Sequence, residues 1–428
     1  MLPTIYNSKR KVTGLTKVLA EWTSGSSKHR CFARTASTRY PNTTDNAGAL
    51  QGLKVLNLSR VLAAPFCTQI LADYGAEVIK VETIGKGDDT RHWTVKGEGP
   101  TWQSAAQTMS NYFTSVNRNK KSMTLNLKNQ KGKKILFELA KQTDVLVENF
   151  KPGTMECLGL VYDKLKAVNP RLIYASISGY GNSGPFAHRG GYDHIAGAEA
   201  GLLHVTGEHN GPPVRPGIGM RGEGQRVDAS LFETQISLLT NVGLAWLNLG
   251  IEAQRWGCAH PSIVPYDAFK TKDQYLGCGA TNDAQFVSLC HLLDLEALIK
   301  DERFATNPKR VENRQLLTPM FNTAFQTKTT SEWTKLFQDK SLPSAPINNM
   351  ESTFVHPQAA ARDMIAEMET EAVKTGRIKV IGPAVKFSQT AASLRTPPPV
   401  LGEHTIEILD KLGLETDEIE KLRKAAVV

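Results

Sequence analysis

Two short stretches carry residue types that could hold a ligand. Ser59–Pro65 (SRVLAAP) and Gly179–Pro185 (GYGNSGP) each follow an apolar, β-prone segment. In an α/β sheet such turns lie at strand C-termini beside a helix N-terminus, where backbone N–H groups can receive an anion. The first turn lacks the Gly-x-Gly-x-x-Gly spacing that lets backbone approach a dinucleotide pyrophosphate, which speaks against nicotinamide and flavin cofactors. The second is glycine-rich, and a plain turn accounts for its composition as well as a binding loop does. Six cysteines are scattered along the chain with no CxxC pair and no Cys/His cluster at zinc spacing. No metal site is expected, and the thiols should be reduced and mostly buried.

The elements that must position these turns follow from periodicity. Gly52–Glu82 reads as strand, helix and strand: Leu53–Leu58 alternates, Pro65 suits a first helical position, and Gly75 supplies a left-handed stop. Phe66, Ile70, Leu71 and Tyr74 share the apolar face of that helix. Trp102–Phe113 has helical character. The pattern repeats through strand Ser122–Leu127 (after a basic turn, Asn117–Lys121), helix Gly132–Ala140, strand Asp144–Asn149 and strand Leu172–Ser178. Strands alternating with helices predict a doubly wound parallel sheet, an α/β fold. Leu231–Leu249 reads as one long apolar helix stopped by Gly250. Pro261–Gly279 reads as two strands around a Lys-Asp-Gln turn, opening a smaller α+β domain. Pro343–Asn348 reads as a linker, and a last helix starts at Thr405. The expected divisions are a leader (1–49), a large α/β domain (50–235), a small domain (236–342) and a return to the large domain (343–428).

The net charge of +9 is unevenly placed. Residues 1–49 hold eight Lys and Arg against Glu21 and Asp45, so the leader carries most of the excess. It is rich in Ser and Thr, and Val12, Leu15, Val18, Leu19 and Trp22 recur at helical spacing. This composition predicts a mitochondrial transit peptide and a matrix protein, with a disordered basic tail as the alternative. The body is ordinarily charged, so no nucleic-acid partner is expected. No run approaches the length of a membrane span.

From Gly52 to Val428 the chain resembles the class III CoA-transferases, which include the formyl-CoA and carnitine CoA-transferases and the methylacyl-CoA racemases. The resemblance is carried by LSRVLAAPFCTQILADYGAEVIKVE, NRNKKSMTLNLKNQKGKKIL, DVLVENFKPGTMECLGL, NPRLIYASISGYGNSGP, GYDHIAGAEAGLLHVTG, GPPVRPG, GEGQRVDASL and PPPVLGEHT, in the family's order. It implies a two-domain fold whose chain leaves the large domain, builds a small one and returns, and an interlocked homodimer. It also implies transfer of CoA from succinyl-CoA to a dicarboxylic acid such as glutarate. A carboxylate attacks the donor thioester, CoA leaves, and the mixed anhydride is resolved through an enzyme acyl-CoA thioester onto the acceptor acid; CoA thioesters are substrates, and no cofactor is permanently bound. The family's CoA positions fall on Val61, Ala63, Leu125, Lys128, Asn149, Phe150 and Thr154, with Cys157 where many relatives have arginine. Tyr192 stands where the racemases place a histidine base, which disfavours proton abstraction. Tyr192, Arg255 and His260 are candidates for substrate contact, the latter two for an acceptor's distal carboxylate, with buried structural roles as the alternative.

One departure dominates. The family's nucleophilic aspartate should follow GPPVRPG and open a helix of on the order of twenty residues, about 30 Å long. Here Met220 is followed at once by Arg221, and no carboxylate takes the missing place. The chain is therefore expected to be catalytically inactive, with a non-enzymatic CoA-binding or dimerising role as an alternative. Gln274 replaces a family glycine in the Lys-Asp-Gln turn, where a positive φ would strain it.

Overall fold

The computed structural model describes residues 48–103, 109–189, 193–208, 227–338, 340, 342–387 and 390–428. The leader, Tyr192 and the Met220–Arg221 junction lie outside them. Six parallel strands form the main sheet: β1 Lys54–Asn57, β2 Glu77–Glu82, β3 Lys120–Thr124, β4 Val145–Glu148, β5 Ile173–Ser178 and β6 Val227–Ser230. Their spatial order is β3-β2-β1-β4-β5-β6. The chain winds outward from β1 through β2 to β3, then crosses back to β4 on the other side of β1. That reversal opens a crevice beyond the C-termini of β1 and β4, the place where doubly wound sheets take ligands.

Side chains alternate across the sheet, and the two faces differ in chemistry. Leu56, Leu58, Met123, Leu146, Leu172 and Tyr174 pack on one face with Leu136 and Leu139 of the helix Gln130–Lys141. Ile408, Leu409, Ile419 and Leu422 from the last helices complete this core. The opposite face is apolar near the start of the strands, through Val55, Val78 and Val145. Toward their ends it turns polar: Asn57, Lys80 and Ser122 are register partners in one row, and all are buried.

That polarity turns the first crossover helix, Ala63–Asp73, so that Phe66 leaves the expected face while Leu71 still packs on the core and Tyr74 stays buried. The helix buries Ala64, Pro65, Thr68, Gln69, Ala72 and Asp73, whereas Phe66 is 40% exposed. Small residues let the helix approach closely, and its polar ones answer the sheet: Asn57 Nδ2 donates to Thr68 Oγ1, and Gln69 Nε2 to the Ser115 carbonyl. Pro65 occupies the third helical position rather than the first. Strand β3 begins inside the supposed basic turn, so Arg118 and Lys120 are buried. The apolar stretch after Asp228 divides into helices Leu231–Leu238 and Thr240–Leu249, preceded by β6, which periodicity did not reveal. Of the Trp102–Phe113 region, the described helix is Asn111–Ser115.

The smaller core gathers around an antiparallel sheet of β7 Tyr266–Lys270, β8 Tyr275–Gly279 and β9 Ser344–Pro346. The segment read as a linker thus supplies the third strand. Phe269 stacks on Phe325 at 4.6 Å, and Trp333 closes on the same ring. Gln274 is not among the residues at positive φ. Thr271 and Asp273 form the turn instead: the Gln274 N–H donates to Thr271 Oγ1, and Asp273 accepts from the Thr330 N–H and hydroxyl. A final hairpin, β10 Ile365–Glu369 and β11 Arg377–Ile381, follows.

Candidate functional site

The turn after β1 is built against its own sequence preference. Val61 sits at φ +70°, a left-handed conformation that costs a β-branched residue about 1–3 kcal/mol. What holds it is polar and buried. The Val61 N–H donates to both Asp88 oxygens at 3.1 and 3.2 Å, and Lys80 Nζ donates to the Ser59 carbonyl and to Asp88, each at 2.8 Å. Neither side chain of the Lys80–Asp88 pair is exposed to solvent. Burial alone would raise the Asp88 carboxyl, but the Lys80 ammonium and the Thr90 N–H and hydroxyl override it and hold it low. A second pair braces the first: Arg91 grips Glu82 in bidentate fashion, and Glu82 accepts the Asp88 N–H at 3.0 Å.

Across the crevice the loop after β4 clasps the same turn. Asn149 Oδ1 accepts the Arg60 N–H and its Nδ2 donates to the Arg60 carbonyl, both at 2.8 Å. The Arg60 guanidinium lies 5.5 Å from the Phe150 ring centroid and 3.6 Å from Asp89. Gly153 at φ +89° caps the short helix that Thr154 opens. The structure therefore brings Val61, Ala63, Asn149, Phe150 and Thr154 to one crevice. Leu125 and Lys128 follow β3, two strands from β1 and so about 10 Å farther along the sheet edge. The Leu125 side chain lies in the core, whereas Lys128 is exposed. Cys157 is exposed on the helix Thr154–Leu158.

The remaining candidates lie elsewhere. Arg255 donates to the His204 carbonyl at 3.2 Å. His260 packs against Tyr266 and accepts the Ser262 N–H at Nδ1, and its carbonyl receives Arg314. Both sets of contacts stay within the chain. Sequence reasoning missed Lys80, Asp88, Glu82 and Arg91. The available signal was the strand Glu77–Glu82, where Lys80 and Glu82 alternate onto one face together with Val78.

A cavity of about 230 Å³ opens beside β4, lined by Glu148, Phe150, Gly153, Tyr162, Tyr174 and Asn182. Burial raises the Glu148 carboxyl despite hydrogen bonds from Ser176, the Phe150 N–H and Tyr174. Among the described residues no cluster of His, Cys, Asp and Glu could hold a metal ion.

The switch-point crevice has no dinucleotide fingerprint, and its two loops are joined by the Asn149 clasp. Comparison with known proteins agrees: the profile of CoA-transferase family III matches residues 50–221 and 219–405. The chain belongs to CoA-transferase family III. An acyl-CoA transferase from Fusarium pseudograminearum is 58% identical over 90% of this chain and 89% of its own. The human succinyl-CoA:glutarate CoA-transferase is 44% identical, over 90% of this chain and 91% of its own. Among solved structures, a CAIB/BAIF family protein from Brucella suis is 34% identical with a TM-score of 0.73, covering 86% of this chain and all of its own. The family III profile matches in two stretches that overlap at residues 219–221, around Met220 and Arg221.

Proposed function

We propose that the chain is built to move CoA from succinyl-CoA to a dicarboxylic acid such as glutarate, and that as written it holds the coenzyme without turning over. One observation carries the first half. Arg60, in the turn that carries Val61 and Ala63, is clasped by Asn149 and lies beside Phe150 in the loop after β4 at the switch point, in a chain whose relatives are named for that transfer. Backbone fixed this firmly can align a thioester carbonyl with an attacking acid and keep water out, and alignment supplies much of the rate in acyl transfer.

The second half rests on the direct step from Met220 to Arg221 and on the two-piece profile match. The two buried carboxylates beside the crevice do not replace the missing aspartate. Asp88 has no solvent-exposed side-chain surface and is engaged by Lys80, Val61 and Thr90. Glu148 is buried, which raises its carboxyl from the ordinary value, and it is engaged by the Phe150 N–H and the Tyr174 hydroxyl. A splice variant or incomplete gene model of an active enzyme fits this excision, and transcripts read across Met220–Arg221 test it. If every transcript lacks the insert, the truncation is real.

Incubation with succinyl-CoA and glutarate, followed by mass detection of glutaryl-CoA, tests both halves. Binding of CoA without product supports the reading, product overturns the inactivity, and no binding overturns the site. Deuterium exchange into a 2-methylacyl-CoA would favour a racemase instead.

The same reading makes the protein a homodimer of the mitochondrial matrix. Leu244, Trp246, Leu247 and Leu249 are exposed around the helix Thr240–Leu249, apolar surface that suits an interface. The leader's composition supports the address. Among the described residues no helix is long and apolar enough to cross a membrane. Light scattering and import into isolated mitochondria test these two points.

A further inference from the structure

Val61 is the described valine whose backbone lies in the left-handed region, and it stands at the mouth of the crevice. The turn around it is secured residue by residue. Asn57 Oδ1 accepts the Ser59 N–H, Lys80 holds the Ser59 carbonyl, Asn149 clasps Arg60, and Asp88 receives Val61. Of these partners, Asp88 alone acts on the strained residue itself. Its own position is over-determined, since its carboxylate also accepts from Lys80 Nζ and from the Thr90 N–H and hydroxyl, and its N–H is held by Glu82.

We propose that Asp88 is a positioning residue for coenzyme A: by accepting the Val61 amide with both oxygens, it keeps the first βα turn in the left-handed form that shapes the crevice. The inference rests on the reading of that crevice as the CoA site. It also accounts for a valine in a conformation that glycine would adopt freely. A merely neutralising role beside Lys80 would need no contact with Val61. The loop after β2, carrying Asp88, and the turn after β1 then move as one body. The Arg60–Asp89 ion pair reinforces the same junction.

The test is a rescue. In the full chain, Asp88→Asn should weaken CoA binding, read by calorimetry, by about tenfold, the loss expected when a charge-assisted hydrogen bond goes. Adding Val61→Gly should restore most of that affinity, because glycine takes the left-handed turn without help. It should not restore the unfolding midpoint lost when Lys80 is left unpaired. An Asp88→Asn chain that binds CoA like the wild type overturns the proposal, as does a double variant with no recovery. Asp88→Glu keeps the charge beside Lys80 and so guards against misfolding; the same loss and rescue are required of it. Exchange of the Arg60 amide, read by NMR, reports the turn without ligand. If the wild-type chain binds no CoA, the reading of the crevice and the coenzyme part of the proposal fail together, and this exchange decides whether Asp88 holds the turn. Faster exchange in Asp88→Asn that Val61→Gly slows again supports it, and unchanged exchange sinks it.

Discussion

Asn149 and Arg60 stand 89 positions apart and exchange two hydrogen bonds of 2.8 Å, amide side chain against peptide backbone. The clasp joins the loops after β1 and β4 at the single point where the sheet reverses direction. Neither loop would find the other without the crossover that returns the chain from β3 to β4.

Asn149→Ala removes both bonds. Two such bonds are worth about 1–3 kcal/mol together. The unfolding free energy in urea should fall by that amount, and affinity for CoA should fall with it. Asn149→Asp should be intermediate, since it keeps the acceptor for the Arg60 N–H and loses the donor to its carbonyl.

Restoring the helix should restore chemistry. Insertion of the corresponding segment of a family member, on the order of twenty residues, between Met220 and Arg221 should produce glutaryl-CoA from succinyl-CoA and glutarate. The same insertion with its aspartate changed to asparagine should bind CoA and form no product. Mass detection of the thioester reads both.

Acid should loosen the crevice. Lys80 outweighs burial at Asp88, and Arg91 outweighs it at Glu82, so both carboxyls are held below their ordinary values. Carboxylates of this kind lend stability that is complete above the unfolded value near 4 and is lost as pH falls through the lower folded value. Urea midpoints should therefore decline below about pH 4. Asp88→Asn should flatten that decline while lowering the midpoint at neutral pH.

Thiol chemistry should follow burial. Cys157 and Cys258 are exposed, whereas burial pushes the thiols of Cys278 and Cys290 up to about 12. Iodoacetamide at neutral pH should alkylate the first pair in the native protein. The second pair should react only after denaturation, because the thiolate is the nucleophile. Peptide mass mapping distinguishes them.

Alternating apolar segments, glycine stops and crossover helices were enough to predict a parallel sheet wound in both directions, because these patterns depend on side-chain direction within a few residues. The family's motifs likewise lie in continuous stretches, and so does the direct step from Met220 to Arg221. Which charges go inside is a different kind of question. Lys80, Arg91, Arg118 and Lys120 are ordinary surface residues by composition, yet each is buried. Their partners Asp88, Glu82, Asp73 and the Pro65 carbonyl reach them through the fold. The same network decided that the first helix buries Ala64, Thr68 and Ala72 and leaves Phe66 outside. A buried charge is tolerable only where an opposite charge or several hydrogen-bonding groups meet it. That condition is set by the strand order, which local periodicity does not encode.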